Sequence, residues 1–246
     1  MTGMEQEWFK NWFDSNYYHL LYKSHNNEEA KQFIDILTGF LHIPPHAHVI
    51  DIACGRGRHS IYLNKKGLNV TGIDLSEHSI EYAKKYENES LHFHCYDKRN
   101  VFKKEYFDFA FNLFTSFGYL KTKDALQKAL FNMALNLKPG GFFVIDFMNS
   151  VKIRNLDLSG DQFSCEGIEF RTSKRLEDNK IIKEIEVSKG DLVKKFVEKV
   201  HLLEMKDFIA FCKYSNLKIL HTFGDYQLSE FDEASSDRLI LIAEKV

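Results

Sequence analysis

The stretch that decides the fold is Val49-Ile50-Asp51-Ile52-Ala53-Cys54-Gly55-Arg56-Gly57-Arg58-His59-Ser60. A short apolar run rises through Asp51, breaks at the glycine pair Gly55 and Gly57, and then turns helical. This pattern predicts a buried strand, a tight loop and a helix start. Glycines let backbone come close to a ligand, and amides at a helix N-terminus are placed to hold its polar end.

Outward from this stretch the alternation repeats. The helix that opens near Ser60 ends at Gly67, with Lys65 and Lys66 in its last turn. A second strand covers 69–74, Ser76 caps a helix over 77–86, and a third strand over 91–96 finishes at Asp97. The fourth strand, 107–114, runs straight into Thr115-Ser116-Phe117-Gly118-Tyr119. Thr122 caps a long helix to 137, and Pro139-Gly140-Gly141 reads as a turn into a fifth strand, 142–146. A helix over 204–216 and strands over 217–223 and 238–245 complete the chain. Such alternation predicts an α/β fold with a doubly wound, mostly parallel seven-stranded sheet. The strands from Val49, Phe107 and Phe142 are nearly all apolar, as helices on both faces require.

Two regions depart from that pattern. Between 163 and 203 the period becomes two: Phe196, Glu198 and Val200 alternate with Val197, Lys199 and His201. With Glu177-Asp178-Asn179 and Lys189-Gly190-Asp191 as hairpin turns, about three antiparallel strands are expected. At the amino end, Trp8, Phe9, Trp12 and Phe13 recur at helical spacing. Asn27 is placed to cap a second helix over 28–41, which Pro44-Pro45 stops. These aromatics read as core or as a lid over a site. The expected organisation is one domain: a helical cap over 1–45, a core over 46–150, an antiparallel insertion over 160–203, and the end of the core over 204–246.

Composition narrows the function classes. A net charge of −2 gives no overall basic footprint, which argues against nucleic acid as the main partner. Cys54, Cys95, Cys165 and Cys212 are widely spaced, with no Cys-x-x-Cys pair and no signal-like amino end, so reduced thiols and a cytoplasmic location are expected. No run approaches the roughly 18 apolar residues that span a bilayer, so no membrane partner is expected.

Asp51, Asp74 and Asp97 stand at the carboxyl ends of the first three strands, the edge where open parallel sheets bind ligands. One such carboxylate reads as a helix cap; three beside a glycine loop call for a ligand rich in hydroxyls and amines. Gly55-x-Gly57-x-x-Ser60 is also close to a dinucleotide fingerprint, a weak signal by itself. Against that rival, Ser60 replaces the third glycine, Asp51 would repel a pyrophosphate, and Asp97 has no part in it.

Asp51-x-x-Cys54-Gly55-x-Gly57, then Asp74, Asp97 and Leu137-Lys138-Pro139-Gly140-Gly141, resembles the class I S-adenosylmethionine-dependent methyltransferases. The likeness covers roughly 49–146. Residues 55–63 are similar to bacterial small-molecule members, including tellurite-resistance-type methyltransferases, and 112–119 to uncharacterised bacterial ones. The resemblance implies S-adenosyl-L-methionine as cofactor and a small-molecule acceptor. In it, Ala53, Cys54, Gly55 and Gly57 form the loop against the methionine moiety, and Asp51 helps bind its ammonium. Arg58 faces the carboxylate or solvent, and Asp74 takes both ribose hydroxyls. Asp97 and the Lys98 amide meet the adenine, while Leu75 and Phe114 flank the adenosine. Asn112 belongs to the same set, at the start of the acceptor wall.

Methyl transfer from a sulfonium needs alignment more than a triad, and no triad is evident. Tyr17, Tyr18 and Tyr22 are candidates for a lid that touches cofactor or acceptor. Asn112-Leu113-Phe114 lacks the Asn-Pro-Pro-aromatic run of amino-directed nucleic-acid methyltransferases. His92 and His94 share a strand face without a third ligand, so no metal is expected; His42, His46 and His48 read as loop residues. Lys194, Lys195 and Lys199 read as a solvated strand face. A nicotinamide-dependent oxidoreductase and a non-catalytic S-adenosylmethionine-binding protein stand as the alternatives.

Overall fold

The computed structural model describes residues 8–22 and 27–246. The chain opens with α1 (Trp8–Phe13), α2 (Asn16–Leu21) and α3 (Asn27–Phe40). The core follows with β1 (His48–Ile52), α4 (Arg58–Lys65), β2 (Asn69–Asp74), α5 (Glu77–Ala83), β3 (Leu91–Cys95), β4 (Phe107–Asn112), α6 (Lys123–Ala134) and β5 (Leu137–Met148). A short α7 (Ser150–Arg154) leads to β6 (Gln162–Cys165), β7 (Ile168–Glu177), β8 (Lys180–Lys189) and β9 (Leu192–His201). The chain ends with α8 (Met205–Tyr214), β10 (Leu217–Phe223) and β11 (Arg238–Lys245).

The large sheet has the order β10-β11-β5-β4-β1-β2-β3. β1 pairs in parallel with both β2 and β4, and β11 is antiparallel to its two neighbours. Strand order therefore reverses beside β1, which opens a crevice at the carboxyl ends of β1 and β4. Helices cover both faces, as the apolar strands require. Ile50, Ile52 and Phe143 pack with α6 and α8, while Val49, Val70 and Phe93 pack with α3, α4 and α5.

Three expectations are corrected. Pro139-Gly140-Gly141 is not a turn before the fifth strand; it lies inside β5, whose pairing shifts from Phe107–Leu137 to Phe109–Phe142. α6 stops at Ala134, so Leu137 is already strand. The small sheet has four strands, in the order β6-β7-β8-β9, rather than three. The missed turn is Glu166-Gly167, where φ is 52° and 72°; β6 has only four residues and is almost wholly exposed, so it carries no alternation to read. α3 begins at Asn27, whose side chain lies outside what the structure describes.

The amino-terminal aromatics join the small sheet. Trp12 and Leu21 form a separate core with Ile168, Phe170, Ile185 and Val187. They cover the carboxyl edge of the large sheet and so bound the site.

Candidate active site

β1 ends in the loop that organises the site. Asp51 is 2% exposed and accepts a hydrogen bond from Ser60 Oγ at 2.6 Å, which ties strand to helix across the loop. Burial pushes its carboxyl up to about 6, against the pull of that hydroxyl. Ala53, Gly55 and Gly57 all have positive φ, at 63°, 56° and 80°. A Cβ on Gly55 would meet nothing within 4 Å, whereas one on Gly57 would sit 2.6 Å from Phe93 Cζ. Gly55 thus keeps the loop open, and Gly57 lets α4 pack on the sheet. Gly57 is also the N-cap of α4, which no side chain caps.

Asp74 closes β2 and is held by backbone. Its Oδ2 accepts from Gly55 N and its Oδ1 from Ser76 N, each at 2.8 Å. Burial raises its carboxyl above the usual range despite these bonds. Asp97 is gripped by Arg99, whose Nη2 lies 2.6 Å from Oδ2. Burial alone would raise Asp97, but the Arg99 side chain and amide bring it below the ordinary value.

A second wall comes from the end of β4. Phe114 and Thr115 both adopt left-handed φ, 56° and 57°, a strained choice for such side chains. The buried carboxylate of Asp146 in β5 holds them there. Its Oδ2 accepts from Phe114 N at 2.7 Å and its Oδ1 from Arg238 Nε at 2.7 Å, while Arg238 Nη2 donates to Thr115 Oγ1 at 2.9 Å. So fixed, the Phe114 ring stacks on His59 and Tyr226, with the Arg58 guanidinium 4.6 Å from its centroid. Burial keeps His59 neutral, its pKa lowered to about 3.

The third wall is the lid of α1 and α2. Asp14 accepts from Ser76 Oγ at 2.7 Å and from His78 N at 3.1 Å, docking the lid beside Asp74. At the other end, Trp12 Nε1 donates to Glu198 Oε1 at 2.5 Å, and the Tyr22 hydroxyl lies 2.9 Å from both Glu198 oxygens. Tyr18 and Tyr119 face the space between, and burial pushes both hydroxyls above their ordinary pKa.

The three walls enclose a cavity of about 1100 Å³. That exceeds the roughly 300–1,000 Å³ of a pocket for one drug-sized ligand, so it has room for two small molecules. Of the residues singled out from sequence, Asp51, Ala53, Cys54, Gly55, Arg58, Asp74, Leu75, Asp97, Lys98, Phe114, Tyr18 and Tyr22 line it. Three do not. Gly57 is turned to Phe93. Asn112 is fully buried, its Nδ2 donating to Ile52 O at 2.8 Å. Tyr17 lies against Phe196 and Lys194, because neighbours on a helix point about 100° apart while Tyr18 and Tyr22, four apart, share a face. Sequence reasoning missed Asp14, His59, Asp146, Glu198 and Arg238. Asp146 had a signal, a lone acid closing the apolar run 142–145; the others had none.

Order of strands, crevice and acidic strand ends define the architecture of the class I S-adenosylmethionine-dependent methyltransferases. Residues 49–141 match the family model described as methyltransferase domain. The dTDP-3-amino-3,4,6-trideoxy-alpha-D-glucopyranose N,N-dimethyltransferase of Streptomyces venezuelae is 31% identical over 130 residues, 52% of this chain and 54% of that protein. The putative methyltransferase YqeM of Bacillus subtilis is 35% identical over 114 residues, 45% of this chain and 46% of its own. The chain thus spans about half the length of these relatives. A crystal structure of an S-adenosylmethionine-dependent methyltransferase from Clostridium acetobutylicum superposes with a TM-score of 0.76 at 21% identity, covering 93% of this chain and 95% of that one, and shows the shared fold. Among the described residues no helix is long and apolar enough to cross a membrane, and no group of three or more His, Cys, Asp or Glu could hold a metal.

Proposed function

We propose that the chain transfers a methyl group from S-adenosyl-L-methionine to a small-molecule acceptor held between the sheet edge and the lid. The observation that carries this is Asp74, a carboxylate fixed by two backbone amides on the cavity wall, one of them in the glycine loop. Each oxygen keeps a lone pair for a hydroxyl, the pattern a ribose diol needs.

The other residues fit the same ligand. The uncapped start of α4 and Arg58 suit the methionine carboxylate, and Asp51 the ammonium. Leu75 and Phe114 flank the adenosine. Asp97 remains available to the adenine amine only through the lone pairs Arg99 leaves. Cys54 is packed in the loop, its thiol pushed up by burial, and is no nucleophile.

The bound cofactor supplies an already activated methyl group. The chain's part is to align an acceptor with it and keep water out. Tyr18 and Tyr119 stay protonated at neutral pH, so they orient the acceptor by hydrogen bonds and ring contacts rather than act as bases. A lid docked at Asp14 and Glu198 leaves room for a small acceptor. The cap, core, insertion and carboxyl-terminal strands then act as one domain, and four free cysteines suit a reducing, cytoplasmic setting.

The test is transfer of labelled methyl from S-adenosylmethionine across a panel of small amines, phenols and carboxylic acids. Labelled product from one class is expected. Tight cofactor binding without product from any would favour the non-catalytic alternative instead.

A further inference from the structure

Lys98 is the cavity residue the cofactor reading leaves unexplained. Its backbone follows Asp97, yet its side chain crosses the cavity and donates to the carbonyl of Ser116. There Nζ stands 5.4 Å from the centroid of Tyr119, whose ring in turn packs on Trp8 and Phe13 of the lid. The ammonium thus sits where the sheet edge meets the lid, on the acceptor side.

No carboxylate pairs with this cation within 4 Å among the described residues. The two nearest acids are committed elsewhere: Asp97 to Arg99, Asp74 to the amides of Gly55 and Ser76. One carbonyl satisfies one of three N–H donors, so two remain for a ligand. Desolvation draws the ammonium down to about 8 against the attraction of Asp74 and Asp97, and a half-buried cation with no carboxylate in direct contact gains from an anion brought to its free N–H donors. Tyr18, Tyr119, Phe9 and Phe13 line the same cavity.

Resting on the methyltransferase reading above, we propose that Lys98 binds an oxyanion, carboxylate or phenolate, on a partly aromatic acceptor. An ammonium-bearing acceptor would meet a like charge at that point. The site therefore sets the acceptor class apart from an amine.

The experiment saturates the protein with S-adenosylhomocysteine and then titrates four matched probes: benzoate, 4-nitrophenolate, benzamide and benzylamine. Binding of S-adenosylhomocysteine is scored first, and its failure would count against the cofactor reading alone. With that complex formed, at least one anion is expected to bind about tenfold tighter than benzamide, the ratio of one charge-assisted hydrogen bond, with benzylamine weakest. Benzoate against nitrophenolate separates the two oxyanions. Lys98→Met, which keeps the backbone amide and most of the side-chain volume, should erase the anion preference. Preference for benzylamine, no anion preference, no binding by any probe, or an anion preference that survives Lys98→Met would each overturn the proposal.

Discussion

The cavity wall formed by the sheet edge and the wall formed by α1, α2 and the small sheet are built on different principles. At the glycine loop the sheet edge uses near neighbours in the chain and backbone groups: Ser60 bonds Asp51 nine residues away, and Asp74 takes the amides of Gly55 and Ser76. The lid wall is made of side chains that meet from far apart. Trp12 and Glu198 are separated by 186 positions, Tyr22 and Glu198 by 176. A wall of backbone amides presents the same groups whatever the side chains do, which suits a constant cofactor. A wall of side chains can be recut for a different acceptor without disturbing the loop.

The contrast can be broken at several points. The largest effect is expected at Asp146, which anchors the sheet edge from behind. Asp146→Ala leaves Arg238 buried beside an unpaired left-handed turn, and unfolding in urea should show a loss of about 3–5 kcal/mol. Next comes Asp74→Ala. Removing two charge-assisted bonds to the ribose should weaken S-adenosylmethionine by about 2–3 kcal/mol in calorimetric titration, with the acceptor wall intact.

A smaller, pH-dependent effect belongs to His59. The unfolded chain takes a proton below about pH 6.5, while folded His59 resists it down to about 3. Its contribution is therefore complete above pH 6.5 and falls as pH drops, by about 1.4 kcal/mol per pH unit. His59→Gln should flatten the stability profile by that slope between about pH 6 and about pH 4. The smallest effect sharpens the lid side. Both tryptophans lie in α1, so their fluorescence reports on the lid alone. Glu198→Ala removes the acceptor of Trp12 Nε1 and should red-shift emission at a cost of about 1 kcal/mol in stability.

The same contrast explains what the sequence disclosed. The strand-loop-helix at 49–60, the acidic strand ends and the parallel order were legible because each depends on a short pattern with one physical solution. Gly57 was legible as a necessary glycine but not for its reason, since Phe93 lies two strands over. Tyr18 and Tyr22 could be named, yet the choice of them over Tyr17 needed the helix phase. Glu198 looked like one more outward acid on an alternating strand. Only the packing of α1 on β9 makes it the lid's anchor.

The wall of Asp51, Asp74 and the glycine loop decides the function through the cofactor it holds. Titrating the protein with S-adenosylhomocysteine and, separately, with NADH tests this most directly. Saturable binding of S-adenosylhomocysteine, weakened by Asp74→Ala, and no binding of NADH is the expected result. Saturable NADH binding with none for S-adenosylhomocysteine would contradict it.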